Sequence, residues 1–191
     1  MPSADRKLRV LHLRSTNFYG GPERQLHRHA LAMQDSPFEI ILASFSEQGQ
    51  PPALLQTAAD DHLPTHLFTV ASAYDRRSVG LIRRYLKDEE IAIFCTHDYR
   101  ASILGCFAAR GTNTRWITFS RGRTSETLAI RIYFRIERLL FRFADRVVAV
   151  SDGEKQSLVR QLVPADNISV VHNAIDIAPF AQIPLVDLRA S

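Results

Sequence analysis

The stretch "RVVAVSDGEKQSL", Arg146–Leu158, holds the plan of this chain in miniature. Val147 to Val150 form a continuous apolar run rich in β-branched residues, the pattern of a strand buried on both faces. Ser151 follows at once, and Glu154 stands three residues later. That spacing predicts a capping box, in which the serine oxygen takes a backbone N–H and the glutamate reaches back to the serine N–H. A strand buried on both sides that feeds a capped helix is the unit from which parallel α/β sheets are built.

The same alternation runs through the chain. Apolar runs predict strands at 8–14, 38–44, 65–70, 91–96, 115–119, 145–150 and 168–172, with "IAIFC" and "WITF" as continuous as "RVVAV". Longer amphipathic segments predict helices at 22–34, 52–60, 78–88, 99–110, 125–143 and 152–162. The expected fold is Rossmann-like α/β, a mostly parallel twisted sheet with helices on both faces. Right-handed crossovers place the strand C-terminal ends on one edge, where ligands bind in such sheets. The domain is expected to occupy 1–176, and the tail 177–191, with Pro179 and Pro184, reads as the start of a linker.

The 191 residues suffice for one well-buried domain, and 46% hydrophobic with 23% charged residues is ordinary for a globular protein. No apolar run approaches the roughly 20 residues of a membrane span, and the opening "MPSADRKLRV" lacks the apolar core of a secretory signal. A cytoplasmic location is expected. The net charge of +4 admits phosphates, a nucleotide or an anionic membrane surface as partners. No interleaved pattern of aromatics for base stacking is evident, so nucleic acid is not expected. Cys95 and Cys106 fit no zinc or redox spacing and read as buried thiols. There is no H-E-x-x-H, no G-x-S-x-G and no metal-ligand cluster, so no metal is expected.

Four turns should meet on the strand-end rim. The first is "RSTNFYGGPERQ", Arg14–Gln25, where Gly20 and Gly21 can take positive φ and admit close approach. Pro22 suits a first helical position and Glu23 the positive helix end, leaving N–H groups for a phosphate or sugar hydroxyl. The second turn carries His97 and Asp98 directly after a strand. The histidine can hydrogen-bond a ligand or move a proton near neutral pH, and the aspartate can cap the next helix. Ser120, Arg121, Gly122 and Arg123 form the third, and an arginine there can pair with phosphate or carboxylate. His172 and Asn173 end the last strand, and Asn173 and Asp176 can each cap or turn the chain there.

In the segment 125–143, Arg131, Arg135, Arg138 and Arg142 recur at helical spacing on one face. Leu128, Ile132, Ile136, Leu139 and Phe143 form an adjacent apolar stripe, expected to pack on the sheet. The arginines read either as a solvated face or as a surface for anionic lipid head groups, a peripheral contact with the inner membrane face.

Taken in order, "VLHLRSTNFYGGPERQL", "THDYRAS", "SRGRTSE", "FADRVVAVSDGEKQSLV" and "ISVVHNAID" resemble the N-terminal domain of family-4 retaining glycosyltransferases, over about residues 8–180. The resemblance implies a GT-B fold of two Rossmann-like domains with the active site between them. It implies a nucleotide-sugar co-substrate (a UDP- or GDP-sugar) and a glycan or lipid-linked acceptor, in polysaccharide or lipopolysaccharide assembly. By the same resemblance His97 lies near the donor sugar and reaction centre as the catalytic candidate, and the loop at Gly20 and Gly21 faces the donor phosphates and the acceptor. Ser120 and Arg121 line the acceptor side, Asn173 lies near the domain junction, and Asp98 joins them as a substrate-binding candidate. The family often shows His-Gly where this chain has Ser120, Arg121 and Gly122. Its donor-binding domain, with an E-x7-E motif, is not found in these 191 residues, so the chain is expected to be an acceptor-side domain without turnover of its own. Two other readings share the layout: a non-catalytic sugar- or nucleotide-binding module, and a sugar-nucleotide epimerase.

Overall fold

The segment Leu8–Leu13 (β1) is an interior strand, third from one edge of a seven-stranded sheet. The structure, a computed structural model, describes residues 7–46, 49–72, 75–121 and 128–173. After β1 come α1 (Gly21–Ala32), β2 (Phe38–Ser46), α2 (Ala53–Asp60), β3 (Thr65–Thr69) and α3 (Arg77–Asp88). Then follow β4 (Ile93–Thr96), α4 (Tyr99–Ala109), β5 (Arg115–Ser120), α5 (Leu128–Leu140), β6 (Arg146–Ala149), α6 (Asp152–Arg160) and β7 (Ile168–Val170). The strand order is β3-β2-β1-β4-β5-β6-β7, and every pairing is parallel. The Rossmann-like α/β expectation is met, and each predicted strand and helix is present with ends shifted by a few residues.

Alternation along β1 shows why Val10, Leu11 and Leu13 are all apolar. Leu11 and Leu13 join the core beneath α3 and α4, with Ile82, Leu86, Phe94 and Cys106. Val10 faces the other way, into the core beneath α1 and α2, with Leu26, Ala30, Leu54 and Ala58. Both cysteines are buried free thiols. Burial pushes Cys95 up to about 12, so it remains a neutral thiol.

β1 has β2 on one side and β4 on the other, so the connections leave it in opposite directions. This reversal opens a crevice at the strand C-terminal ends, the usual ligand position in doubly wound sheets. The ladder runs on into the rim, where Arg14 N–H donates to Ala43 O at 3.1 Å and His97 N–H to Leu13 O at 3.2 Å.

Three expectations are corrected. The stripe Ile132, Ile136, Leu139 and Phe143 does not pack on the sheet; all four are exposed. α5 docks through its other side, where Phe141, in a terminal 3-10 turn, and Glu137 are buried and Tyr133 and Phe134 meet Tyr99. Nor do the four arginines share a solvated face, because Arg138 is buried and donates to Glu154 Oε1 at 2.7 Å. The capping box is half formed: Ser151 Oγ accepts from Glu154 N–H at 3.1 Å, while the Glu154 carboxylate is taken by Arg138 and by Ser120 Oγ, at 2.5 Å. The side chain of Leu128, the predicted helix start at 125–127, Gly122, Arg123, Asp176 and the predicted linker 177–191 lie outside the described residues.

Candidate functional site

α1 begins at the rim with Gly20 as its N-cap, so Gly21 and Pro22 take the first and second helical positions and Glu23 the third. The expected positive φ is absent: Gly20 has φ −105°, and Gly21 is not among the positive-φ glycines. The chain turns here without the left-handed region, and what the glycines supply is space. A Cβ on Gly20 would stand 2.8 Å from the Phe18 ring and 3.3 Å from Glu23 Oε2, whereas one on Gly21 would meet nothing within 4 Å. Nor is the Gly20 N–H left for a ligand, since it donates to Glu23 Oε2 at 2.9 Å. The other Glu23 oxygen pairs with Arg14, and that carboxylate is buried. Arg14 also donates to the His97 carbonyl at 2.8 Å, which ties the β1 and β4 turns together.

His97 is 3% exposed. Its ring stacks on Phe119 at 4.4 Å and near His12 at 5.1 Å. Arg121 Nη2 lies 3.4 Å from His97 Nδ1, and His97 Nε2 lies 2.9 Å from His12 Nδ1. A guanidinium only donates, so His97 Nδ1 accepts, and the proton of the neutral ring sits on Nε2 and is given to His12. Burial holds His97 well below the usual histidine value, reinforced by His12 and the Arg121 and Arg14 charges. Burial likewise pushes His12 down to about 3, with His29 and Arg121 adding to it. At neutral pH both rings are uncharged hydrogen-bonding groups. Of the two roles expected of His97, this arrangement favours hydrogen bonding over moving a proton, since among the described residues no carboxylate is hydrogen-bonded to either ring.

Arg121 is anchored by donation from Nη1 to Gln25 Oε1 at 2.6 Å and lies over the Phe119 ring. Burial, with Arg14 nearby, pushes it down to about 10, which leaves it charged at neutral pH. A cavity of about 760 Å³ opens beside this cation, bounded by Gly21, Gln25, His97, Arg121 and Asn173, with His12 and Val148 deeper in. Arg24 and Arg28 add positive charge to its α1 wall. The N-terminal end of α1 adds its own partial charge of the same sign.

A second cavity of about 370 Å³ lies across His97 and Arg121, against α5, and is walled by Asp98, Ser120, Glu137 and Arg138. Asp98 is the N-cap of α4, accepting from Ala101 N–H at 3.0 Å, and both its oxygens also accept from Ser15, at 2.7 and 2.6 Å. Glu137 is buried, and desolvation pushes it up to about 8, with Asp98 and Glu154 adding to the rise.

The structure thus brings Gly21, His97, Arg121 and Asn173 to one cavity and Asp98, Ser120, His97 and Arg121 to its neighbour. Gly20 stands just behind them as the helix cap. Reading the sequence missed His12, Gln25 and Glu137. His12 carried one signal, a polar residue set among the apolar Val10, Leu11 and Leu13. Among the described residues no group of three or more metal-ligating side chains occurs.

An all-parallel, doubly wound sheet with a cationic cavity at its strand-order reversal defines a Rossmann-like α/β domain. The sequence model of glycosyltransferase family 4 matches residues 19–179, and the chain belongs to that family. It is 22% identical over 187 residues to the Escherichia coli UDP-Gal:alpha-D-GlcNAc-diphosphoundecaprenol alpha-1,3-galactosyltransferase, covering 95% of this chain and 48% of that protein. The crystal structure of Anabaena Alr3699/HepE in complex with UDP and glucose superposes with a TM-score of 0.70 at 19% identity, over 88% of this chain and 45% of that one. A glycosyltransferase from Rickettsia africae gives 0.71 at 19% identity, over 93% and 46%. The chain spans about half the length of these relatives.

Proposed function

We propose that this chain is the N-terminal, acceptor-side half of a retaining glycosyltransferase that moves a sugar from a nucleotide-sugar donor to a glycan or lipid-linked acceptor. The observation that carries the reading is the convergence of Gly21, His97, Arg121 and Asn173 on one cationic cavity. The names of two relatives support the ligand class: one uses UDP-galactose and a diphosphoundecaprenol acceptor, and one holds UDP and glucose.

In this reading the departing nucleotide diphosphate gathers negative charge as the glycosidic bond breaks. The α1 N-terminal end and the Arg121 guanidinium are held in place before that charge appears, so little reorganisation is needed. Gly21 leaves room for the diphosphate to approach the helix backbone. His97 acts as an uncharged hydrogen-bonding group at the reaction centre and keeps Arg121 oriented. The second cavity, with Ser120 and the Asp98 turn, receives the acceptor. A cleft closed by the partner domain keeps water from competing as acceptor. The remaining donor contacts belong to that domain, so this half has no turnover alone.

The test is transfer from a panel of UDP- and GDP-sugars to lipid-linked and free glycan acceptors, by the protein from its whole reading frame and by these 191 residues. The expected result is transfer with retained anomeric configuration by the first and none by the second. Transfer by the 191 residues alone overturns the inactive-half reading, and inversion overturns retention. Absence of transfer from every donor overturns the activity.

A further inference from the structure

The rim holds a third cavity, of about 480 Å³, that the proposed transfer leaves unused. It lies beyond the end of β2, between the β1–α1 loop, the first turn of α2 and the first turn of α4. Asn17, Ser46 and Gln56 line it with amide and hydroxyl groups, and Phe45 gives it an aromatic wall. Gln56 Nε2 donates to Pro51 O at 2.7 Å, which fixes the amide and keeps Oε1 as its accepting end. Among the described residues its lining holds one cation, Arg100, which lies over the Phe45 ring at 4.6 Å, and no carboxylate. Only a ridge separates this cavity from the one against α5: Arg14 and Asp98 line that one, and their neighbours Ser15 and Arg100 line this one. The Ser15 N–H and Oγ–H, donated to Asp98 at 2.7 and 2.6 Å, hold the ridge together. Phe18 stands on the same β1–α1 loop, 76% exposed, with its ring against Gly20.

We propose that this cavity is a second acceptor subsite: it holds the sugar next to the one that is glycosylated, and the acceptor is therefore a glycan of two or more sugars. The proposal rests on the transferase reading above and deepens it. A neutral pyranose carries hydroxyls that both give and accept hydrogen bonds, set around an apolar C–H face. The amides of Asn17 and Gln56 can likewise give and accept, and the exposed Phe18 ring offers a flat apolar surface on the same loop. A phosphate calls for converging cations, such as the first cavity has in Arg24, Arg28 and Arg121, whereas Arg100 stands here with its guanidinium stacked on Phe45. A sugar seated here would reach the reaction centre across the Ser15–Asp98 ridge, so contacts far from the bond being made would align the hydroxyl that attacks.

The experiment measures initial rates of the full-length protein with acceptors that differ in length and end in the same sugar. These are the methyl glycosides of glucose, galactose and N-acetylglucosamine, against those of maltose, lactose and diacetylchitobiose. The disaccharide is expected to exceed its matching monosaccharide in kcat/KM by at least about tenfold, the scale of two net hydrogen bonds. Asn17→Ala combined with Gln56→Ala is expected to erase that preference. Phe18→Ala is expected to lower it and Phe18→Tyr, which keeps the ring, to restore it. A merely structural role would lower both acceptors together and leave their ratio as it was. No preference in the parent, or a preference that the double variant does not move, overturns the subsite. So does an equal loss in the double variant on a polyprenol diphosphate bearing one sugar, which would make the cavity a phosphate site. If no donor glycosylates any acceptor, the failure is that of the transferase reading. The subsite is then judged by saturation-transfer NMR of maltose, lactose and diacetylchitobiose on the full-length parent and double variant, where contact seen equally in both, or in neither, overturns it.

Discussion

His12 Nδ1 lies 2.9 Å from His97 Nε2, although the two residues stand 85 positions apart in sequence. Register makes this possible: β1 and β4 are neighbours, His12 pairs with Cys95, and His97 follows β4 directly. Two histidines side by side would repel one another if both were charged. Here both are buried, and the Arg121 cation fixes their tautomers from one end.

This arrangement predicts acid sensitivity. An unfolded imidazole titrates near 6.5, while burial pushes His12 down to about 3 and His97 well below its ordinary value. Below about pH 6.5 the unfolded chain binds more protons, so stability that is full above that pH is lost as pH falls. Each histidine contributes a slope of at most about 1.4 kcal/mol per pH unit. In a Glu137→Gln background, which removes the opposing carboxyl, urea unfolding at about pH 7.5 and about pH 5.5 is expected to show this loss, with His12→Gln reducing it. A profile identical in His12→Gln and the parent rules this account out.

Glu137 has the opposite sign. Its carboxyl titrates near 4.5 when unfolded and is pushed up to about 8 by burial. Between those values the folded chain binds the extra proton, so stability is full below about 4.5 and declines as pH rises toward 8. Glu137→Gln keeps the shape and removes the charge. Its melting temperature is expected to match the parent near pH 5 and exceed it by several degrees near pH 9. Equal alkaline losses in both proteins would place the ionising group elsewhere.

The contrast between β1 and α5 shows what the sequence could and could not convey. Strands such as Val147–Val150 are legible because burial on both faces leaves an unbroken apolar run, and no partner need be known to read it. α5 is apolar at Ile132, Ile136 and Leu139, but also at Phe134 and Phe141, and periodicity finds both stripes without saying which one meets the sheet. That choice rests on Tyr99 and Glu154, which reach α5 from α4 and α6. The rim was legible because strand ends share one edge by topology. The side chains completing it were less so, since His12 and Gln25 meet their partners only through β-sheet register and across the first crossover.

Gly21 predicts an asymmetry with its neighbour. A side chain at Gly21 would extend into open cavity, whereas one at Gly20 would press on Phe18 and Glu23. Gly21→Val is expected to change the melting temperature by a few degrees at most, the cost of a branched residue in the first helical turn. In the full-length protein it should nonetheless weaken UDP binding, measured by calorimetry, by on the order of tenfold or more through lost access to the helix backbone. Undiminished UDP affinity would show that the diphosphate lies away from the α1 N-terminus.

Arg121 offers the sharpest test of the proposed chemistry, because it lines both cavities and spans Gln25 and the His97 ring. If it stabilises charge that develops only as the donor bond breaks, its loss should act on kcat more than on donor KM. Arg121→Ala in the full-length enzyme is expected to lower kcat by on the order of 100-fold, the scale of removing one preorganised donor from a developing anion. Arg121→Lys should recover part of this. A lysine keeps the charge but lacks the planar fork that spans Gln25 and His97 together. A purely structural arginine would behave differently: both variants would lower the melting temperature and leave the kcat of the folded fraction unchanged. A rise in KM alone, at constant kcat, would instead make Arg121 a ground-state binding residue and move the charge-stabilising role to another cation of the cleft.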